Sequence, residues 1–289
     1  MLQDILVTGL VNGGVYALLA IGFSLIFGVA RIVNIAHTAF YMLAAYCFYT
    51  LLTKTGLGFL LSGVIAVAAV TLFSMLCYRL VIEPVREHES AVLISTIALA
   101  LIFQEVMLYL FGGHFLGIPS TIEGGIRILG VSVPYQRVLI LVVAAIMLGA
   151  VWLLLYRTRL GLAIRATAND LEVASLMGMN VNRVAMATVA ISVGLAAIAG
   201  VIATPVVSVH PHLWLDPLVI MLAIVVLGGL GSLKGSLIGA LVIAYVEAIT
   251  VFALPAGAYL KGAVALLIMV VVLLFRPEGL FGIAFEEER

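Results

Sequence analysis

"RVLILVVAAIMLGAVWLLLY" occupies residues 137–156. Behind its leading arginine, no charge interrupts it until Arg157. A helix needs about 20 apolar residues to cross the hydrocarbon of a bilayer, so this stretch predicts a membrane-spanning helix. Working outward, comparable runs lie near 5–27, 36–53, 59–80, 91–111, 184–205, 217–231, 236–254 and 260–275. All eight prolines fall at or near run ends, Pro119 and Pro277 among them, as expected of residues that break helices from within. Short alternating segments, the mark of a transmembrane barrel, are absent.

Composition agrees. The chain is 65% hydrophobic and 10% charged, whereas soluble domains are about half apolar and about a quarter charged. Such a chain cannot cover a water-facing surface. The expected fold is therefore all-α and polytopic, with about 8–9 transmembrane helices in a single membrane domain over residues 1–289. The run at 217–231 is short for a full crossing and the one at 36–53 begins with polar residues, so either is compatible with a broken helix. The first run follows no basic leader or cleavage signature and reads as a retained span. Zero net charge gives no footprint for nucleic acid. Cys47 and Cys77 sit in apolar runs and read as small core hydrophobes.

Arginine and lysine set orientation. The loop 157–183 carries Arg157, Arg159, Arg165 and Arg183, while 112–136 holds only Arg127. Placing the first inside puts Arg31, Lys234, Arg276 and the C-terminus inside as well. Nine spans with the N-terminus outside then follow.

The 157–183 loop is itself structured. Asn169 to Glu172 reads as a capping box, with Asn169 as the cap and Glu172 reaching back. The helix is expected over about 170–177, with Gly178 in the left-handed position that ends it. Leu171, Ala174, Ser175 and Gly178 share one face, small enough for close docking by protein. Together with Asn169, Asp170 and Glu172 these residues form the candidate docking segment.

Other polar features are sparse. Asn34, His37 and Tyr41 share a face if helical, and Asn34 could equally cap the helix that follows. "GGLGSLKGSLIG" (228–239) spaces Gly231, Gly235 and Gly239 by four, which on a helix gives a smooth packing stripe or a pore-lining bend. Gly228, Gly229 and Gly231, with Asn34, His37 and Tyr41, are the candidate lining of a path. Glu105 and Glu247 lie inside apolar runs, where an acid is either functional or hydrogen-bonded between helices. His210 and His212 have near-ligand spacing but no Cys or acidic cluster, so they read as an interfacial turn, and no metal site is expected. Leu233 precedes Lys234 and Gly235 follows it, which is not a P-loop; the chain is not expected to hydrolyse ATP.

These stretches carry a resemblance. Glu172-Val173-Ala174-x-x-x-Gly178 is similar to the Glu-Ala-Ala-x-x-x-Gly loop of ABC importer permeases. The whole segment "RTRLGLAIRATANDLEVASLMGMNVNRV" (157–184) resembles that loop in the branched-chain amino-acid, Liv-type, permeases. "VNIAHTAFYMLAAY" resembles the family's Asn-Phe-Ala-His-Gly-x-x-Tyr/Phe-Met segment, with Ile35 and Thr38 departing from it. "LGGLGSLKGSLIGA" and "RPEGLFG" (276–282) resemble its glycine-rich segment and its ending. The resemblance implies one of two permease subunits in a prokaryotic inner membrane. Two ATPase subunits would bind ATP and Mg, this chain holding no cofactor, and an extracytoplasmic binding protein would deliver cargo. The 170–178 helix would couple to an ATPase subunit from the cytoplasmic side. Importers of urea and short amides use the same permease type. An ion-coupled secondary transporter is the competing class, with Glu105 and Glu247 as its available acids.

Overall fold

The computed structural model describes residues 2–118, 124–128, 131–276 and 278–281. Pro119, Pro277 and Gly282 lie outside them. Eleven α-helices appear among the described residues. They are α1 (Leu2–Ala30), α2 (His37–Lys54), α3 (Phe59–Cys77), α4 (Glu89–Phe111), α5 (Tyr135–Arg157), α6 (Arg159–Asn169), α7 (Leu171–Leu176), α8 (Val181–Ala203), α9 (Leu215–Gly228), α10 (Leu233–Ala253) and α11 (Gly257–Phe275). Among the described residues, seven spans are long and apolar enough to cross a membrane: α1, α4, α5, α8, α10, α11 and the segment Phe59–Val85. That last span is α3 prolonged by a π-helical turn, Tyr78–Ile82, and a 3-10 turn, Glu83–Val85. The protein is a multi-pass membrane protein.

The two spans that the sequence left ambiguous are both helical. α9 has 14 residues, roughly 21 Å at 1.5 Å per residue, so it is short. α2 has 18, and it starts deep in the fold. The long 112–134 connection, read only as a loop, contains an antiparallel hairpin of β1 (Gly125–Ile128) and β2 (Val131–Pro134), in register Gly125↔Pro134 to Ile128↔Val131. Its signal lay in the alternation of "GIRI" and "VSVP".

α1 and α8 form the centre, and α1 packs most extensively on α10. Small residues permit it: a Cβ on Gly13 of α1 would lie 2.9 Å from Leu241 Cδ2 of α10. α11 is at the other extreme, with only Gly257 and Ala265 buried among its 19 residues. Without water there is no hydrophobic drive between helices, so close backbone approach carries the packing.

Contacts between chain ends and turns define two ends of the bundle. At one, Gly28 meets Gly231 and Ala168, Arg86 Nη1 donates to Asn182 Oδ1 at 2.6 Å, and the Leu280 N–H donates to the Leu227 carbonyl at 2.8 Å. Arg31, Lys234 and the α6–α7 loop belong to this end, which is accordingly basic. At the other, Leu116 bridges to Val209, Trp214 Nε1 donates to Gln104 Oε1 at 2.9 Å, and Lys54 lies over the Phe111 ring. The helices run alternately between these ends.

Candidate functional site

At the basic end the expected docking helix exists, but its boundaries shift. Asn169 is the last residue of α6, so it does not cap α7. Asp170 does: its Oδ1 accepts from the Val173 N–H at 3.0 Å. Glu172 is then the second residue of α7, and the expected capping box is absent. The reason is α6 itself, a helix in the first half of the 157–183 loop that continues to Asn169. Thr158 caps α6, its hydroxyl accepting from the Gly161 N–H at 3.0 Å. The Thr158-x-x-Gly161 start and the buried Gly161, Ile164 and Thr167 on one side were the available signal.

The end of α7 is as expected. Gly178 has φ +81°. Its N–H donates to the Ser175 carbonyl at 3.0 Å, and the Met179 N–H donates to the Ala174 carbonyl at 3.2 Å. This is a Schellman pair of bonds closing the helix. The expected docking face, however, is divided. Ala174 is buried in the chain, and Leu171 is half-buried. Val173, Leu176 and Met177, at i, i+3 and i+4, are instead uncovered, Leu176 to 86%. Glu172, Ser175 and Gly178 are exposed beside them.

The second candidate group lies at mid-depth. Beyond α1 the chain turns at Arg31 (φ 54°), then runs without helix through 31–36. It re-enters the bundle, because the His37 ring comes to rest beside Gly22. A Cβ at Gly22 would meet His37 Nε2 at 3.1 Å and the Ser192 carbonyl at 2.9 Å. Gly22 is eight residues before the end of α1, roughly 12 Å along its axis. Non-helical backbone at such depth is tolerated only where protein covers it. Ile32, Asn34 and Ala36 are all buried.

Asn34 therefore lies in this coil, off the helix face that the sequence suggested. Ala36 precedes α2 and no side chain caps it. Asn34, His37 and Tyr41 are all buried within the chain. Asn34 Oδ1, both His37 ring nitrogens, Thr38 Oγ1 and Ser192 Oγ make no hydrogen bond of good geometry among the described residues. Tyr41 packs its carbonyl against Gly200 of α8 so closely that no Cβ fits there.

The glycine-rich stretch forms a junction at the basic end. Gly231 lies in the turn before α10, with φ +79°, so the stripe of three becomes Gly235 and Gly239 alone. Gly229 has φ +97°. Gly228 and Gly235 touch through their backbones, and a Cβ on Gly239 would lie 2.8 Å from the Ile224 carbonyl. Ser24 and Ser236 share a hydrogen bond of 2.5 Å, linking α1 to the start of α10.

The acids differ. Glu247 is buried, and the Tyr16 hydroxyl donates to its Oε2 at 2.7 Å across α1 and α10. Glu105 faces outward from α4 and accepts from Gln104 Nε2 at 3.3 Å. His210, between α8 and α9, tilts against the Phe115 ring at 5.0 Å. Burial pushes its pKa below the ordinary histidine range, and His212 adds to this while Asp216 opposes it. Among the described residues no three His, Cys, Asp or Glu side chains gather as metal ligands.

The elements together define a polytopic α-helical membrane protein that presents a capped helix from its basic end. Residues 5–273 match the model of the branched-chain amino acid transport system permease component, and the chain belongs to that family. It is 32% identical to the high-affinity branched-chain amino acid transport system permease protein BraD of Pseudomonas aeruginosa, covering 96% of this chain and 94% of that one. It is 29% identical to the corresponding LivH of Escherichia coli K12, over 95% and 93% of the two chains. The probable branched-chain amino acid transport permease protein LivH of Methanocaldococcus jannaschii is 25% identical, over 98% and 93%. Among solved structures, PsaBC from Streptococcus pneumoniae in complex with Fab superposes with a TM-score of 0.50 at 17% identity, over 92% of this chain and 90% of that one. That likeness concerns the fold alone.

Proposed function

We propose that this chain is a permease subunit of an ATP-driven importer for branched-chain amino acids in a prokaryotic inner membrane. Its partners are a second permease subunit, two ATPase subunits that bind ATP and Mg, and an extracytoplasmic binding protein that delivers the cargo. Relatives named for branched-chain amino acid transport, aligned over nearly their whole length, support the cargo class. The basic end faces the cytoplasm because arginine and lysine favour that side.

The observation that carries the reading is α7. A helix of six residues cannot hold itself in water. Here it is closed at both ends, by Asp170 and by Gly178, and its uncovered side is apolar. A strip of Val173, Leu176 and Met177 needs a protein groove, and an ATPase subunit supplies one. Asn169 and Glu172 rim the strip, Ser175 and Gly178 leave room beside it, and Leu171 and Ala174 seat the helix on its own chain. Nucleotide-driven movement of the ATPase then passes through α6 and α8 into the bundle. The polar atoms of Asn34 and His37, with Tyr41, form the mid-depth part of the cargo path when α1, α2 and α8 part. Gly228, Gly229 and Gly231 are the junction on which that parting turns.

The test uses the assembled importer in vesicles, scoring ATP-dependent leucine uptake and copurification of the ATPase. Leu176→Ser with Met177→Ser is expected to release the ATPase and abolish uptake while the chain still inserts and pairs. If the ATPase remains bound and uptake persists, the docking role is wrong.

A further inference from the structure

Three arginines stand where α5 ends and α6 begins: Arg157, Arg159 and Arg165. All are exposed, and none meets a carboxylate among the described residues. Arg165 lies instead over the Tyr156 ring, 4.9 Å from its centroid. Tyr156 in turn packs on Trp152, one turn back along α5, at 5.6 Å and 37°. The result is a ladder of indole, phenol and guanidinium on the outside of the bundle. Trp152 is 58% and Tyr156 48% exposed.

Its position is informative. Of the 23 residues of α5 only Gln136, Ile140, Ala144, Val151 and Leu155 are buried, so its own chain leaves most of this helix, Trp152 and Tyr156 included, uncovered. Tryptophan and tyrosine collect at the level of lipid headgroups. On α6, Leu162 is 61% exposed, with Arg159 three residues before it and Arg165 three after. Exposed leucine together with arginine is the composition of a helix lying in the membrane interface, where the long arginine side chains reach to the headgroup level while leucine stays in the hydrocarbon.

We infer that the α5–α6 elbow binds the headgroup phosphate of an anionic phospholipid. The guanidinium groups of Arg157, Arg159 and Arg165 meet the phosphate. Trp152, Tyr156 and Leu162 lie along the upper part of the acyl chains. Guanidinium suits this role because its planar donors match phosphate oxygens and its face stacks on an aromatic ring. The alternative occupant is an acidic protein surface, which would have no use for an exposed indole and leucine directed at hydrocarbon. The inference rests on the bilayer placement of the chain and not on its cargo.

Tryptophan quenching tests it, since the chain has two tryptophans and Trp214 is buried. The full chain is placed in phosphatidylcholine vesicles containing a small fraction of lipid brominated near the headgroup end of its acyl chains. The brominated lipid is either phosphatidylglycerol or phosphatidylcholine. Subtracting the signal of Trp152→Phe isolates Trp152. Brominated phosphatidylglycerol is expected to be enriched about fivefold per contacting arginine, the factor given by about 1 kcal/mol each. High salt and the triple change Arg157→Gln, Arg159→Gln, Arg165→Gln are expected to make the two lipids quench equally. Equal quenching in the unaltered chain would overturn the proposal, as would an excess that survives the triple change. Because all three arginines are exposed, the triple variant retains its fold. Its unchanged Trp214 emission verifies that.

Discussion

The Tyr16–Glu247 pair shows what one residue costs inside this bundle. Glu247 is 2% exposed, and only its Oε2 has a partner. A buried polar group left without a partner costs more than replacing both members of a pair by apolar groups. Tyr16→Phe is therefore expected to destabilise the chain by about 1–3 kcal/mol. Tyr16→Phe with Glu247→Leu should recover part of that loss. Thermal unfolding in detergent measures both; equal midpoints for the single and double variants would show that Glu247 does not lean on Tyr16. The sequence marked Glu247 as an acid in an apolar run, and one of its two readings was a carboxyl hydrogen-bonded between helices. It could not name Tyr16, 231 positions away, because no periodicity links α1 to α10. The same holds for His37, whose neighbour Gly22 is settled by how the chain re-enters the bundle.

At the scale of elements, local signals were read well and junctions were not. Gly178 was legible because a left-handed residue after a helical period has few alternatives. The N-cap was missed by one position because α6 runs through Asn169, and its own start at Thr158, where the hydroxyl caps the Gly161 N–H, was not read. The consequence is testable. Asp170→Ala is expected to loosen the first turn of α7 by about 1 kcal/mol, and Asn169→Ala to leave it intact. Hydrogen exchange of the Val173 amide should quicken about fivefold in the first variant only, by the usual conversion of 1 kcal/mol. Quickening in Asn169→Ala instead would return the cap to Asn169. The break before α2 was half-legible: the polar residues at 34–38 announced an irregular start. Whether Asn34 caps a helix or lies in buried coil depends on tertiary cover, which a sequence does not display.

For the whole molecule, the apolar helices and their alternation were legible because apolar runs are bounded by prolines and charges, whereas the number of full crossings was not: α2 starts deep in the fold and α9 is short. Which side each end faces rests on arginine and lysine alone, so it needs its own measurement. Asn180, between α7 and α8, and His212, between α8 and α9, are both exposed. One crossing, α8, separates them. Cys47 and Cys77 carry free thiols and are first replaced by serine or alanine. Cysteines are then placed singly at Asn180 and His212 and probed in intact cells with a membrane-impermeant maleimide. Asn180→Cys is expected to label only after the membrane is opened, and His212→Cys before it. The pair is more decisive than either site: labelling of both from one side would mean that α8 does not cross, whereas exchanged labelling would mean that the orientation is reversed. Labelling of Asn180→Cys from outside would invert the molecule. It would move α7, Arg159 and Arg165 away from the cytoplasm, and remove the ATPase contact that the exposed strip on α7 is proposed to make.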